Sequence, residues 1–357
     1  MAQNGARLKD IAEASGFSVN TVSLALRGSS RISEDTQKRV REIAERLNYV
    51  PNIVAQSLVS QQTRSVGLVL TDLSNPILTS VAQSIETELS SRNYATLFAT
   101  SNNRLDEEQR VIDFLRRRRV DGLLVFPCQH HRLDHLRALR DKGMPLVLLV
   151  GDPEARLDVV AMNEQAGALK ATRYLLAAGH RRVGFIDGGA GLGNREKLAG
   201  YEQALAERGL TLDPRLVVDS RGHSAKAGYW GAQAMIESGA APSAIFATTD
   251  SMALGAMRYC AQKGIRVPED IAIVGFDNIE FAEYARTPIT SVAFDVDRIS
   301  RLAVDRLIEL SGAEDSLPAP RATLVDPELI LRESSEAIVP GTWPHTPIPA
   351  IHTKDTP

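Results

Sequence analysis

Apolar residues recur every three or four positions through the first fifty residues, and from Arg64 onward they gather instead into short continuous runs. The two rhythms predict two architectures in one chain. In the first, Leu8, Ile11 and Ala12 form an apolar stripe and Gly16 interrupts it. Ser18 then restarts a helix whose inward positions are Val22, Ala25 and Leu26. Two short helices joined at a glycine turn form the pattern of a helix-turn-helix. A third helix follows, with Ser33 as its N-cap, Glu34 and Asp35 at the positive end of its dipole, and Val40, Ile43, Ala44 and Leu47 at helical spacing.

On the second helix Asn20 and Leu24 point well away from Val22, with Thr21 and Ser23 on other sides. An amide there can pair bidentately with an adenine edge, and a leucine can pack on a thymine methyl. Ser18 caps the helix, and a first-turn hydroxyl in such helices also reaches a phosphate. Charge agrees: residues 1–64 hold nine Lys or Arg against six Asp or Glu, a net +3, on a chain whose total is −3. In residues 51–60 Asn52 is placed to cap a helix of about two turns, which is marginal in water without a packing partner. That segment is expected to be conditional structure.

Beyond Arg64 the apolar runs are Val66–Leu70, Ala95–Ala99, Leu123–Phe126, Leu146–Val150, Val183–Ile186, Ala244–Ala247 and Ile271–Phe276. Most are separated by helix-length stretches with polar faces, the signature of parallel strands buried on both faces. With about 270 residues available, two α/β lobes are expected.

The run from Leu8 through Gly16, "TVSLALRG", "RISEDTQKRV" and "LNYVPNIVAQSL" resembles the headpiece of the LacI/GalR family of bacterial transcription regulators. "GLVLTDLSNPIL", "RRVDGLLVFP", "LAAGHRRVGFIDGG", "KLAGYEQAL", "TTDSMALGAM" and "GIRVPEDIAIVGFDN" follow in the family's order, so the resemblance spans roughly residues 8–333. It implies an α/β fold: a helix-turn-helix headpiece followed by a two-lobed, periplasmic-binding-protein-like core of parallel sheets. It also implies base reading by Val19, Asn20 and Leu24, and a hinge helix whose wedge into the minor groove is Leu58. Leu24 stands where some members carry an arginine suited to guanine, so the operator sequence is expected to differ from theirs.

Strand ends in such sheets open into the crevice between lobes. On the family's mapping the effector candidates are Asn75, Ile77, Leu78, Phe126, Asn163, Arg195, Lys197, His223, Asp250 and Asp277. Asp277 follows a fully apolar run, which puts a carboxylate at the ligand end of a sheet; Asp250 reads equally well as a helix cap. Three departures stand out. Lys197 replaces an arginine that clamps the effector in many relatives, giving a point charge for a planar fork. Ile77 and Leu78 replace a pair of aromatics, and His223 replaces a phenylalanine. They leave room for an unusual effector, including an anionic one facing Lys197, Arg195 and His223.

Other features read more plainly. His130, His131, Asp134 and His135 suggest a metal grip only if a helix runs through them, and no third ligand is evident, so a polar helix face is expected and no metal or cofactor. Arg116 to Arg119 read as the end of an exposed helix. "GGAGLG" at 188–193 lacks dinucleotide spacing and a Walker lysine. No catalytic constellation occurs, and Cys128 and Cys260 fit reduced thiols. Residues 1–20 carry no apolar secretory core and no run is long enough for a membrane, so a cytoplasmic protein is expected. A periplasmic-type solute receptor and an α/β enzyme are the alternatives; the first has no use for a helix-turn-helix and the second lacks a catalytic set.

The expected organisation is a DNA-binding domain at 1–50, a hinge at 51–64, and a core at 65–335. Within the core, lobe 1 takes about 65–161 and 291–320, and lobe 2 about 162–290 and 321–335. A disordered tail with five prolines occupies 336–357, too irregular for a tetramerising coiled coil. The expected partners are double-stranded operator DNA, read as a near-palindrome by a homodimer, and a small polar effector such as a carbohydrate.

Overall fold

The computed structural model describes residues 6–49, 62–151, 153–188, 195–313 and 316–336. Asn52, Leu58 and the expected tail from 337 lie outside the described residues. The chain divides into two compact units, Met1–Thr63 and Arg64–Pro357.

In the first unit, helices α1 (Leu8–Ser15), α2 (Val19–Leu26) and α3 (Glu34–Arg46) close on Ile11, Ala12, Val22, Ala25, Val40, Ile43 and Ala44. Leu8, Phe17, Leu26, Ile32 and Tyr49 pack around this core. The turn between α1 and α2 works because Gly16 takes φ +77°, a left-handed conformation that ends α1 without a Cβ clash. Ser18 Oγ accepts from the Thr21 N–H at 3.1 Å, and Ser33 Oγ accepts from the Thr36 N–H. Each satisfies one of the donors that a helix start leaves open.

The second unit holds two six-stranded sheets. The strands are β1 (Ser65–Leu70), β2 (Ala95–Thr100), β3 (Gly122–Val125), β4 (Leu146–Leu148), β5 (Asp158–Met162), β6 (Val183–Asp187), β7 (Val217–Asp219), β8 (Ala244–Ala247), β9 (Ala272–Asp277), β10 (Thr290–Ala293), β11 (Ala322–Val325) and β12 (Glu328–Ile330). The first sheet runs β11-β5-β4-β3-β1-β2, all parallel; the second runs β12-β10-β9-β8-β6-β7, parallel except for the β10/β12 pair. The helices are α4 (Pro76–Ser91), α5 (Leu105–Arg117), α6 (Asp134–Arg140), α7 (Glu164–Ala177), α8 (Arg195–Glu207), α9 (Ala225–Glu237), α10 (Asp250–Gln262), α11 (Glu280–Glu283) and α12 (Val296–Ser311). Arg116 and Arg117 close α5, where cations suit the helix dipole.

The lobe boundaries differ from those the sequence predicts. Residues 291–293 belong to β10 in the second sheet, and residues 322–325 form β11, which pairs with β5 in the first. The chain therefore crosses between lobes three times, after β5, after β10 and after β11. Each crossing is delayed until the strand has completed its ladder, because an apolar strand released halfway leaves backbone groups unpaired.

In lobe 2 neighbouring helices meet backbone to backbone. A Cβ on Gly200 of α8 would stand 2.3 Å from the Gln165 carbonyl of α7, and one on Gly228 of α9 would stand 2.0 Å from the Met252 carbonyl of α10. In lobe 1 the fully buried Asp158 accepts from Arg306 Nε at 2.7 Å and from the Arg321 N–H at 3.1 Å, tying α12 and the approach to β11 onto β5.

Candidate DNA-reading helix and interlobe cleft

On α2 the buried residues are Val22 and Ala25, which leaves Val19 and Asn20 exposed in the first turn, next to the cap; Val19 keeps 45% of its surface. Thr21, Ser23 and Leu24 are half-buried, so Leu24 offers an edge rather than a fully free side chain. Ser18 Oγ lies 2.9 Å from Thr21 Oγ1, and Ser23 Oγ accepts from Arg27 Nη2 at 2.8 Å. Both hydroxyls are partly committed to stiffening the helix.

Between the lobes lies a cavity of about 80 Å³. Lobe 1 contributes Thr71, Asn75, Ile77, Leu78, Asn103 and the stretch Phe126 to Cys128 with His130; lobe 2 contributes Glu164, Lys197, His223, Thr249 and Asp277. These residues follow the strands at their carboxyl ends or open the helices after them, which is where parallel sheets expose a crevice.

Lys197 is the electrostatic centre of the cavity. Only 4% exposed, its ammonium lies 3.3 Å from Glu164 Oε1, donates to the Thr248 carbonyl at 3.0 Å, and sits 3.9 Å from the centre of the Phe276 ring. Burial works against its charge, but Glu164, backed by Asp277 and Asp187, outweighs that and leaves its pKa raised, so it stays protonated. Asp277 is the opposite case. Burial drives its pKa well above the carboxylate range against the pull of Lys197. Burial also lowers His130 and His223, with Lys197 adding to the effect on both, so the two rings are neutral at neutral pH.

The backbone reinforces this placement. Asp277 takes φ +102°, a conformation that costs a non-glycine residue of order 1–3 kcal/mol, and Asn278 follows at φ +52°. Surrounding bonds hold the turn: Ser291 Oγ accepts from the Asn278 N–H at 3.0 Å, and Asp250 accepts from the Ile279 N–H at 2.8 Å and from Ser291 Oγ at 2.6 Å.

Residues 7–52 match the bacterial regulatory proteins of the lacI family, and residues 172–335 match the periplasmic binding protein-like domain. The chain is 31% identical over 334 residues to the ribose operon repressor of Haemophilus influenzae, covering 92% of this chain and 98% of that protein. The chain belongs to the lacI family of bacterial regulatory proteins. It is thus a helix-turn-helix DNA-binding transcription regulator with an effector-binding core. Among solved structures it is similar to the transcriptional regulator CelR–cellobiose complex, at 28% identity and TM-score 0.68, covering 92% of this chain and all of that one. It shares the fold of the Lac repressor dimer bound to operator and the anti-inducer ONPF, at 24% identity and TM-score 0.83, covering 94% and 100%. Among the described residues no helix is long and apolar enough to cross a membrane.

In this lacI-family chain seven of the ten expected effector residues line the cavity: Asn75, Ile77, Leu78, Phe126, Lys197, His223 and Asp277. Three do not. Asn163 caps α7 by accepting from the Ala166 N–H at 3.1 Å, and its amide donates to Asp326 at the third crossing. Arg195 opens α8 as an exposed residue. Asp250 is buried behind the wall, and the cap of α10 is Thr249, which accepts from the Met252 N–H. Of the three groups expected to face an anion, Lys197 is paired with Glu164, Arg195 is exposed outside the cavity lining, and His223 lines the cavity. The histidine cluster also dissolves: α6 starts only at Asp134, His135 bonds the buried Glu108 at 2.7 Å, and His130 alone reaches the cavity.

Sequence reasoning missed Thr71, Val81, Asn103, Pro127, Cys128, His130, Glu164, Thr249 and Phe294. Glu164 carried a readable signal as the acidic first-turn residue after Asn163, but its pairing with Lys197, 33 positions on, is tertiary.

Asp250 supplies a pH test. Burial lifts its pKa to about 7, against the hydrogen bonds from Ser291 and Ile279. Between the ordinary carboxylate range and about 7 the folded core holds a proton that the unfolded chain has released, so this group makes the core less stable as pH climbs through that window. Thermal unfolding of wild type and Asp250→Asn is expected to show the variant gaining relative stability from about pH 5 to about pH 8. A gap that stays constant across that range would place the titration elsewhere.

Proposed function

We propose that the chain is a repressor that binds a near-palindromic operator as a homodimer and is controlled by an uncharged, hydroxyl-rich effector of the carbohydrate class. The observation that carries the effector class is the electrostatic balance of the cleft. Its ammonium is paired with Glu164, both histidines are neutral, and Asp277 adds a carboxyl rather than a cation, so the cavity offers donors and acceptors without a net attraction for anions. With Ile77 and Leu78 at the wall, orientation comes from hydrogen bonds rather than ring stacking. The relatives add to this reading, one being named for a ribose operon and one being seen with cellobiose. A protein with this task works in the cytoplasm and performs no catalysis.

On this reading α2 enters the major groove with Val19, Asn20 and Leu24 toward the bases and Ser18, Thr21 and Ser23 toward the backbone. Asn52 and Leu58 act in the hinge at the operator centre. Effector binding changes DNA affinity only through its difference in affinity for the two lobe arrangements.

The test is a gel shift on the DNA upstream of the protein's own gene, repeated with neutral monosaccharides and disaccharides, sugar phosphates and sugar acids. A mobility shift that responds to a neutral sugar is the expected result, and the same gel reads whether that sugar releases or retains the DNA. No preference for any duplex removes the DNA reading, and a response confined to charged sugars removes the effector class. Asn20→Ala is expected to relax discrimination at one operator position by about 1–3 kcal/mol, roughly 5- to 150-fold, while leaving the salt dependence of binding unchanged. A uniform loss on all sequences would reassign Asn20 to the backbone.

A further inference from the structure

We propose that the interlobe cleft takes a divalent transition-metal ion, held by His130 of lobe 1 and by Glu164 and Glu196 of lobe 2. A ring nitrogen of His130 and one carboxylate oxygen from each glutamate lie within 4.8 Å of one another. A second observation concerns the partnering of His130 itself. His130 is only 7% exposed, lines the cavity, and its Nδ1 has no hydrogen-bond partner among the described residues. A buried imidazole nitrogen left without a partner is costly in a folded core and calls for a ligand, and a cation bound by the neighbouring carboxylates supplies one.

The donor set fixes the class of ion. One imidazole and two carboxylates are borderline to hard ligands, which suits Zn²⁺ or Mn²⁺ and disfavours the soft ions that thiolates select. Metal–ligand bonds of about 2.0–2.2 Å put neighbouring donors roughly 3.4 Å apart, so side-chain rotation of about an ångström closes the site. The ion would take over Glu164 from Lys197, whose ammonium keeps the Thr248 carbonyl and the Phe276 ring face.

Because the three ligands come from both lobes, the ion fastens the cleft and gives the regulator an input distinct from a sugar. The assignment uses the cleft of the proposed effector but stands on the cluster itself. It is therefore tested on the full chain without DNA or sugar.

Chelator-stripped protein is titrated calorimetrically with Zn²⁺ alone and with Mn²⁺ alone. One ion per chain is expected for at least one metal. Affinity should fall tenfold or more in His130→Gln and in Glu196→Gln, each checked for a wild-type unfolding temperature in the metal-free state. If one variant does not fold, the other carries the comparison. No saturable binding of either metal, or equal binding in wild type and the folded variants, overturns the assignment. A sugar-dependent gel shift by the stripped protein, together with absent metal binding, overturns the metal site and leaves the carbohydrate reading standing.

Discussion

Gly255→Ala is expected to destabilise the core by about 3 kcal/mol or more, the upper end of the range for overpacking. The added Cβ would stand 1.8 Å from the Ala225 carbonyl oxygen and 2.6 Å from the Tyr229 nitrogen, both backbone atoms of α9. A flexible side chain could swing aside, but a helix backbone has to move as a body. Gly228 makes the reciprocal approach to Met252, so the two helices are seated on each other from both sides. Separating them also unpacks the edge-on Tyr229–Tyr259 pair. Urea unfolding of the core measures the effect, and a midpoint equal to wild type would show that α9 and α10 do not pack this closely. Since His223 lies just before α9 and Thr249 caps α10, the same variant should respond poorly to any cleft ligand.

Lys197→Ala should cost a comparable amount, about 3–5 kcal/mol, for an electrostatic reason. Removing the ammonium leaves Glu164 without its ion-pair partner and the Thr248 carbonyl without a donor, deep between the lobes. If that is the cause, adding Glu164→Gln to Lys197→Ala should recover part of the loss, because the uncompensated charge is gone. A double variant no more stable than the single one would point to the lost contact of the ammonium with the Phe276 ring face instead. Thermal unfolding of the three proteins decides between the two.

The parts of the fold that were legible in the sequence are those whose burial leaves a periodic trace. Helix α2 could be placed because Val22 and Ala25 face inward while Val19 and Asn20 face out, and β1, β3, β6, β8 and β9 could be placed because strands covered on both faces are continuously apolar. Strands β7 and β12 are short and partly exposed edges with a mixed pattern, and they left no such trace. The cleft was legible where a polar residue closes an apolar strand, as Asp277 does. It was not legible where the chemistry arises from distant segments meeting: His130 faces Glu164 and Glu196 only once both lobes are built, and Lys197 looks like a free cation until Glu164 is beside it. Asp250 read equally well as a cleft residue or a helix cap; in the fold Thr249 takes the cap and Asp250 is turned to the Ile279 N–H and Ser291 Oγ.

The three crossings between lobes have a consequence for how the molecule is made. Residues 296–311 pack onto the first sheet, residues 322–325 complete its edge, and residues 328–330 complete the edge of the second. During synthesis, then, neither half is finished until nearly the whole polypeptide has left the ribosome, and a nascent chain halted before residue 296 displays the unfilled apolar face that Leu307 and its neighbours later cover. Only the small N-terminal unit has all its parts early, so a prematurely stopped product would carry a DNA reader with no means of hearing the metabolite.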